Sequence, residues 1–274
     1  MNRKTNIILI LSIIFFAKPA ISGCPDIEDI KVTESFGVQI CAMPKVDQKY
    51  LDHAKKVMDK LIDYNEDGIV DNQQAIDKVI NTGSVYAVFR SGREERKFEE
   101  HFYTDEMLDE FDELCEELRD EVKCITIAEE KFGTFLAVFT NEMNLGDSGW
   151  DPTIEEGLHL ITHMGYAHAY PDIFGQHKDS YIAKLMDEAR GGYFEKARRN
   201  YPSGAYYTYD DRSCDYSCQI TEFTYWAITS LRGQQAERSK DIKHEWKPNT
   251  PEKLSQSAPD LVALLSDKKY GIYY

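Results

Sequence analysis

Two histidines stand one helical turn apart in the segment that follows Trp150. His159 and His163 are spaced i, i+4, and at about 100° per residue they share one side of a helix with Glu155 and Glu156. Imidazole nitrogens and carboxylate oxygens are ligands of zinc and other divalent transition metals. The pattern predicts a metal site in which His159, His163 and Glu156 bind the ion and Glu155 is the base for a bound water.

This pair of histidines resembles the metal-binding helix of the zincin metallopeptidases. In that family a glutamate directly follows the first histidine, where this chain has Leu160, or directly precedes the second, where it has Thr162. The resemblance therefore implies metal binding by one helix but does not carry peptidase chemistry over. A structural interpretation stays open, because Thr153 and Glu156 also fit a capping box and a polar helix face usually meets solvent.

Glu222 is a further candidate ligand. It lies at the edge of the apolar stripe of a predicted helix, about 40° beyond Trp226 on the helical wheel. If aromatic neighbours cover this carboxylate, it needs a cation or a donor as partner. A metal on the two histidines is one such partner, Arg190 is the structural alternative, and a solvated carboxylate needs neither.

A second motif has the spacing of a calcium loop. The segment D-x-N-x-D-G-x-x-D resembles the first nine positions of an EF-hand or dockerin loop, in which alternate oxygens meet on one hard cation. The resemblance implies calcium binding by the side chains of Asp63, Asn65, Asp67 and Asp71 and by the carbonyl of Ile69. Position twelve is Gln74 instead of an acidic residue, and a plain Asp/Asn/Gly surface turn is the alternative.

The start of the chain has the features of an export signal. Residues 1–23 open with Arg3 and Lys4, continue with an apolar run from Ile7 to Ala17, and end in small residues. The run is too short for a spanning helix, which needs roughly 20 apolar residues. We expect a cleaved signal peptide, a secreted extracellular protein, and no membrane span in the mature chain.

Six cysteines follow the predicted signal peptide, and an even number in a secreted chain favours disulfides. They cluster in neighbouring pairs, which suggests three short-range bridges, although six cysteines allow fifteen pairings. The suggested bridges are Cys24–Cys41, Cys115–Cys124 and Cys214–Cys218.

The charge of the chain bears on its partners. With 48 acidic against 32 basic residues the formal net charge is −16. Such a surface repels phosphate backbones and argues against a nucleic-acid partner, whereas it suits calcium or a cationic partner. The partner is otherwise expected only to be an extracellular substrate or ligand.

Hydrophobic periodicity predicts an α+β fold that is mainly helical, with a small β-sheet in the N-terminal half and a helical C-terminal half. Helices are predicted over 48–62, 74–80, 105–122, 153–164, 180–189, 217–232 and 258–266, and strands over 85–89, 125–128 and 134–140. We expect one secreted domain over 24–274. Its part 24–145 holds the calcium loop and the sheet, and its part 146–274 holds the candidate metal site.

These features favour a secreted metal-dependent enzyme, in the first place a hydrolase with a His/His/Glu site, and a structural calcium loop. Tyr206, Tyr207 and Tyr209 are expected either to line its substrate cleft or simply to pack. Two alternatives stay open. The same two-His, one-carboxylate set suits a non-haem iron oxygenase, and a non-enzymatic calcium-binding, toxin-like or matrix module fits the acidic surface equally well.

Overall fold

A four-stranded sheet forms in the N-terminal half, with its strands in the order β1-β2-β3-β4. These are β1 (Lys31–Ser35), β2 (Val38–Ala42), β3 (Val85–Phe89) and β4 (Phe135–Phe139). β1 and β2 form an antiparallel hairpin, whereas the pairs β2–β3 and β3–β4 are parallel. Every residue of β3 is buried, as expected for an inner parallel strand. The strands predicted over 85–89 and 134–140 are confirmed, and they lie side by side in the sheet.

The computed structural model describes residues 23–146 and 149–273. The predicted signal peptide, residues 1–23, lies outside this part of the chain except for Gly23. None of the helices in the described ranges is long and apolar enough to cross a membrane.

Five helices surround the sheet in the N-terminal half, namely α1 (Gln48–Ile62), α2 (Gln73–Thr82), α3 (Gly92–Phe102), α4 (Asp105–Leu118) and α5 (Glu121–Phe132). The C-terminal half is almost entirely helical. Its first helix, α6 (Pro152–Leu160), continues directly as a π-helical segment (Ile161–Ala167). The remaining helices are α7 (Pro171–Phe174), α8 (Tyr181–Arg190), α9 (Tyr216–Leu231), α10 (Ser239–Ile242), α11 (Pro251–Ser257) and α12 (Pro259–Leu265). The prediction of a mainly helical α+β fold is thus confirmed.

The predictions between 105 and 132 need correction. The predicted strand over 125–128 is wrong, because these residues lie inside α5. This helix begins where the Asp120 carboxylate accepts a hydrogen bond from the backbone N–H of Lys123, which caps its first turn. The single helix predicted over 105–122 ends earlier, since Arg119 adopts a left-handed conformation and closes α4.

All three disulfides form as the clustering of the cysteines suggests. Cys24–Cys41 ties the segment before β1 to β2, Cys115–Cys124 clamps α4 to α5, and Cys214–Cys218 closes the start of α9. Each bridge therefore constrains a local junction between elements, and none links the two halves of the chain.

Two glycines allow α6 and the π-helical segment to pack closely on the N-terminal half. A Cβ on Gly157 would lie 2.7 Å from Leu61 of α1, and one on Gly165 would lie 3.0 Å from the carbonyl of Ala75 in α2. Asp151 caps α6 by accepting from the N–H of Thr153, and Pro152 suits its first turn. The candidate site helix α6 is therefore packed against α1, and the π-helical segment that continues it is packed against α2.

Gly133, between α5 and β4, has the strictest backbone requirement. Its φ of 71° and ψ of −173° lie in a region that only glycine readily occupies, and an added Cβ would lie 2.5 Å from the carbonyl of Thr82. We expect Gly133→Ala to lower the free energy of unfolding by more than about 2 kcal/mol, measured by urea denaturation.

Gly233→Ala is the matched control for this prediction. Gly233 has a similar φ of 74° but no atom within 4 Å of an added Cβ. The Gly233→Ala substitution should therefore lower the free energy of unfolding by only about 1 kcal/mol. Equal losses in the two variants would show that the contact with Thr82 does not matter.

Candidate metal centre

His159 is buried at the crossing of α6 and α9. Only 7% of the residue is exposed, and its ring packs edge-on against Tyr225 of α9 with 5.6 Å between ring centroids. The helical spacing of the sequence brings Glu155 to the same side of α6. Glu222 reaches the site from α9, so two separate helices supply the charged groups.

The donor atoms of Glu155, His159 and Glu222 all lie within 4.8 Å of one another, and they form the one group of three potential metal ligands found in the described part of the chain. The Nε2 atom of His159 lies 3.7 Å from Oε2 of Glu222. This nitrogen is buried and finds no hydrogen-bond partner among the described residues. A buried imidazole nitrogen that faces two carboxylates in this way fits a divalent metal, which would satisfy all three groups.

Glu156 lies at the other ring nitrogen of His159. Its Oε2 atom is 3.6 Å from Nδ1, and it does not belong to the group of three. The contact is an ion pair with protonated His159, on the side of the ring opposite Nε2. Whether Glu156 binds a metal, as predicted, stays a prediction.

His163, the second predicted histidine ligand, points away from His159. Its Nε2 atom lies 2.6 Å from Oε1 of Glu129 in α5, and Nε2 of His168 lies 3.7 Å from the other oxygen of the same carboxylate. His163 belongs to the π-helical segment, whose turns hold more residues than α-helical turns. Its ring direction is therefore rotated from the one that a continuous α-helix would give, and the ring meets Glu129.

Two neighbours hold the carboxylates of the site in place. The indole N–H of Trp150 donates to Oε2 of Glu155 at 3.1 Å, and the phenol of Tyr209 bonds to Glu222. Arg190, the structural alternative for Glu222, is fully buried and pairs with Asp187 and Gln219 instead. Trp150 was not predicted, although an indole five residues before Glu155 at a helix start is a usable signal.

The charges of the site shift its protonation equilibria. Burial raises the pKa of Glu222 to about 7, against the opposing effect of His159, and burial also raises the pKa of Glu155. Burial by itself would lower the pKa of His159, but Glu156 and Glu222 outweigh it and raise the value to about 9. Three carboxylates thus compete for one imidazolium, and an added cation would relieve their repulsion.

A cleft adjoins the site on the side of Tyr209. It has a volume of about 370 Å³ and is lined in part by Tyr209, Glu245 and Arg198. Of the tyrosines predicted to line a cleft or to pack, Tyr209 does the former. Tyr207 is fully buried, and Tyr206 packs against Trp246 but has no place in the lining of this cleft.

The predicted calcium loop connects α1 to α2. Both oxygens of Asp63 accept backbone N–H groups, from Asp67 and Gly68, and Asn65 accepts from Asp67 as well. Asp71 accepts from the N–H of Tyr64, while the Ile69 side chain is 69% exposed. At position twelve the amide of Gln74 donates to the carbonyl of Ala169 in the segment before α7. The loop is closed by its own backbone, and its acidic side chains do not form a second group of three like that at His159.

The interaction of Glu129 with His163 and His168 should make the stability of the fold depend on pH. Burial opposes ionisation of Glu129, but His163 and His168 outweigh it and lower its pKa from 4.5 to about 2. This interaction therefore stabilises the fold above about pH 4.5 and is lost as the pH falls through about 2. We expect Glu129→Gln to lower the free energy of unfolding by about 1–3 kcal/mol at pH 6, with the difference shrinking towards pH 2 in urea titrations.

Glu130→Gln provides the control, because Glu130 is half-exposed beside His168 and Lys78. Exposed pairs of this kind contribute about 0–1 kcal/mol. If the loss of unfolding free energy in Glu129→Gln were the same at pH 6 and at pH 2, the stabilisation would not come from the ionised Glu129 carboxylate.

Comparison of the chain with protein-family models, with curated proteins and with solved structures finds no significant match. What the protein does must therefore be inferred from the chemistry of its sites, since a fold by itself does not define a function.

Proposed function

We propose that this protein is a secreted metal-dependent hydrolase whose metal is held by His159 and Glu222. The observation that carries the proposal is the buried Nε2 atom of His159, which lacks a hydrogen-bond partner among the described residues and faces Glu155 and Glu222 within 4.8 Å. Catalytic zinc sites keep a coordination position open for water or substrate. A cleft beside the site is lined in part by Tyr209, the residue that bonds to Glu222.

The composition of the donor set favours hydrolysis over oxygen chemistry. Non-haem iron oxygenases use two histidines and one carboxylate as ligands, whereas the proposed ligands here are one imidazole and one carboxylate, since His163 bonds to Glu129 and Glu155 is kept as the base. An imidazole nitrogen and carboxylate oxygens are donors that suit zinc or manganese. These ions support hydrolysis without a change of oxidation state.

Each residue of the site then has a role. When bound, a divalent metal supplies Lewis acidity and lowers the pKa of a water. Glu155 accepts the proton of the attacking water, and burial raises the pKa of this carboxyl, which makes it a stronger base than an exposed glutamate. Trp150 orients Glu155 through its indole N–H. Glu156 orients His159 from Nδ1, and the Tyr209 phenol holds Glu222.

Secretion is supported by two independent features. The three disulfides are of the kind that persist in oxidising compartments, and the start of the chain has the charge and hydrophobicity pattern of a signal peptide. The calcium loop fits the same location, because loops of this type in extracellular modules bind calcium at about 10⁻⁴–10⁻³ M.

Elemental mass spectrometry of the purified protein tests the metal centre. We expect about one zinc or manganese ion per chain, lost in His159→Ala and in Glu222→Gln because each removes a ligand. His163→Ala is the control and should keep the metal, since its ring bonds to Glu129. Equal metal content in wild type and His159→Ala, or no transition metal in any of them, would contradict the site.

The catalytic role of Glu155 has a separate readout. Glu155→Gln should keep the metal but reduce hydrolysis of chromogenic ester, peptide or phosphoester substrates by about 10²–10⁴-fold, the usual contribution of a general base. A variant with full activity would exclude Glu155 as the base while leaving the metal site intact.

The calcium loop is tested by thermal unfolding with and without calcium. At 10 mM calcium, a site with the affinity given above stabilises the fold by about 1–3 kcal/mol, and Asp63→Ala should abolish this effect. Asp109→Ala, on the exposed face of α4, is the control for loss of one acidic charge. An unchanged calcium response in Asp63→Ala would exclude the loop as the binding site.

A further inference from the structure

The hairpin of α4 and α5 carries an open apolar groove that the proposed hydrolase does not use. The groove has a volume of about 310 Å³, at the small end of the roughly 300–1,000 Å³ typical of ligand pockets. Its apolar lining consists chiefly of Tyr103, Met107, Leu108, Phe111, Ala128 and Phe132. All of these residues lie far along the chain from His159.

Helix α4 has an apolar face that the protein itself leaves uncovered. Met107, Phe111, Leu114 and Leu118 recur at helical spacing and predict an inner face, yet no residue of α4 is fully buried in the structure. Leu108 is 49% exposed. The helix packs chiefly on α5 and makes no comparable contact with another described element. Apolar faces of this kind on a soluble protein commonly mark interaction sites.

The rim of the groove is strongly acidic. Eight of the fourteen residues of α4 are Asp or Glu. Glu99 and Glu129 line the groove itself, and of these two Glu129 is paired with His163. Lys131 approaches from α5 but is paired with Glu110. An occupant of the groove therefore meets apolar side chains at the centre and carboxylates around them.

The hairpin is held in one arrangement before anything binds. The Cys115–Cys124 bridge fixes α4 to α5, and Glu129 anchors α5 to His163 of the π-helical segment. A preformed groove loses little conformational freedom on binding, which favours specific association.

The charge decides between the candidate occupants. A second copy of this chain, with a net charge of −16, would bring a second acidic α4 to the groove, and like charges across an interface are costly. An anionic lipid surface is disfavoured for the same reason. A polypeptide helix with apolar anchors on one face and lysines or arginines beside them matches both the centre and the rim.

We propose that the groove between α4 and α5 binds a basic amphipathic helix of a partner protein. Apolar side chains of that helix would enter between Leu108 and Phe111 on one wall and Phe132 on the other. Its cationic side chains would pair with the carboxylates of α4. The proposal is independent of the metal centre.

Fluorescence anisotropy with a labelled fourteen-residue peptide tests this proposal. The probe is a helix of Leu and Lys with Leu at i, i+3, i+4 and i+7 spacing, and the comparison peptide has Glu in place of each Lys. We expect saturable one-to-one binding of the Leu/Lys peptide that weakens as salt rises. The Leu/Glu peptide should not bind.

The Leu108→Gln variant distinguishes binding in the groove from nonspecific attraction to an acidic surface, because it removes an apolar contact without changing the charge. The Leu108→Gln substitution should weaken binding of the Leu/Lys peptide at least tenfold. The variant should fold, because the Leu108 side chain is half-exposed. Phe111→Gln is a second variant with the same expected effect. Val32→Gln is the matched control, with a side chain 50% exposed on β1, at the other edge of the sheet from β4. It should bind normally.

Three results would overturn the proposal. The first is the absence of saturable binding. The second is equal binding to Leu108→Gln and the wild type, which would mean diffuse attraction to the acidic surface only. The third is a wild-type dimer in sedimentation that dissociates in Leu108→Gln, which would make a second copy the occupant.

Discussion

The arrangement of the C-terminal half depends on keeping one imidazole buried among carboxylates. His159 lies at the crossing of α6 and α9 with Glu155, Glu156 and Glu222 around it. Burial penalises each of these charges, and the repulsion between the carboxylates adds to the cost. A proton on His159 offsets part of that cost, as its raised pKa shows. A divalent cation would offset more of it, because it also gives the free Nε2 atom a partner.

Several local features of the chain serve this arrangement. Gly157 and Gly165 allow α6 and the segment after it to lie against α1 and α2, and Asp151 fixes where α6 begins. Asp151 also bonds to His53 of α1 at 2.6 Å, so the start of the site helix is tied to the N-terminal half. The change from α- to π-helix after Leu160 then turns His163 towards Glu129. Neighbouring turns of this one stretch of chain therefore contribute histidines to two separate His/Glu clusters, His159 with Glu222 and His163 with Glu129.

The sequence predicts those parts of the structure that have a strong local signal. The apolar spacing of α1 gives its exact bounds, and the paired clustering of the cysteines gives the three bridges. Glu222 was singled out by the cost of burying a carboxylate, and it does meet His159. The β1–β2 hairpin and α3 were missed, because β1 alternates weakly and α3 buries only Phe98 and Phe102 among many charges. The hydrogen-bond partner of His163 could not be predicted, since it depends on a π-helical turn and on Glu129, which lies 34 residues away in another helix.

Anomalous diffraction from crystals, recorded at the absorption edge of the bound metal, would show directly whether His159 holds the ion. We expect a single strong peak about 2.0–2.2 Å from Nε2 of His159, with an oxygen of Glu222 at a similar distance. A peak at His163 and His168 instead, or none near His159 in protein shown to contain the metal, would contradict the proposed site. In that case the carboxylates around His159 would be a buried ion-pair network without a metal.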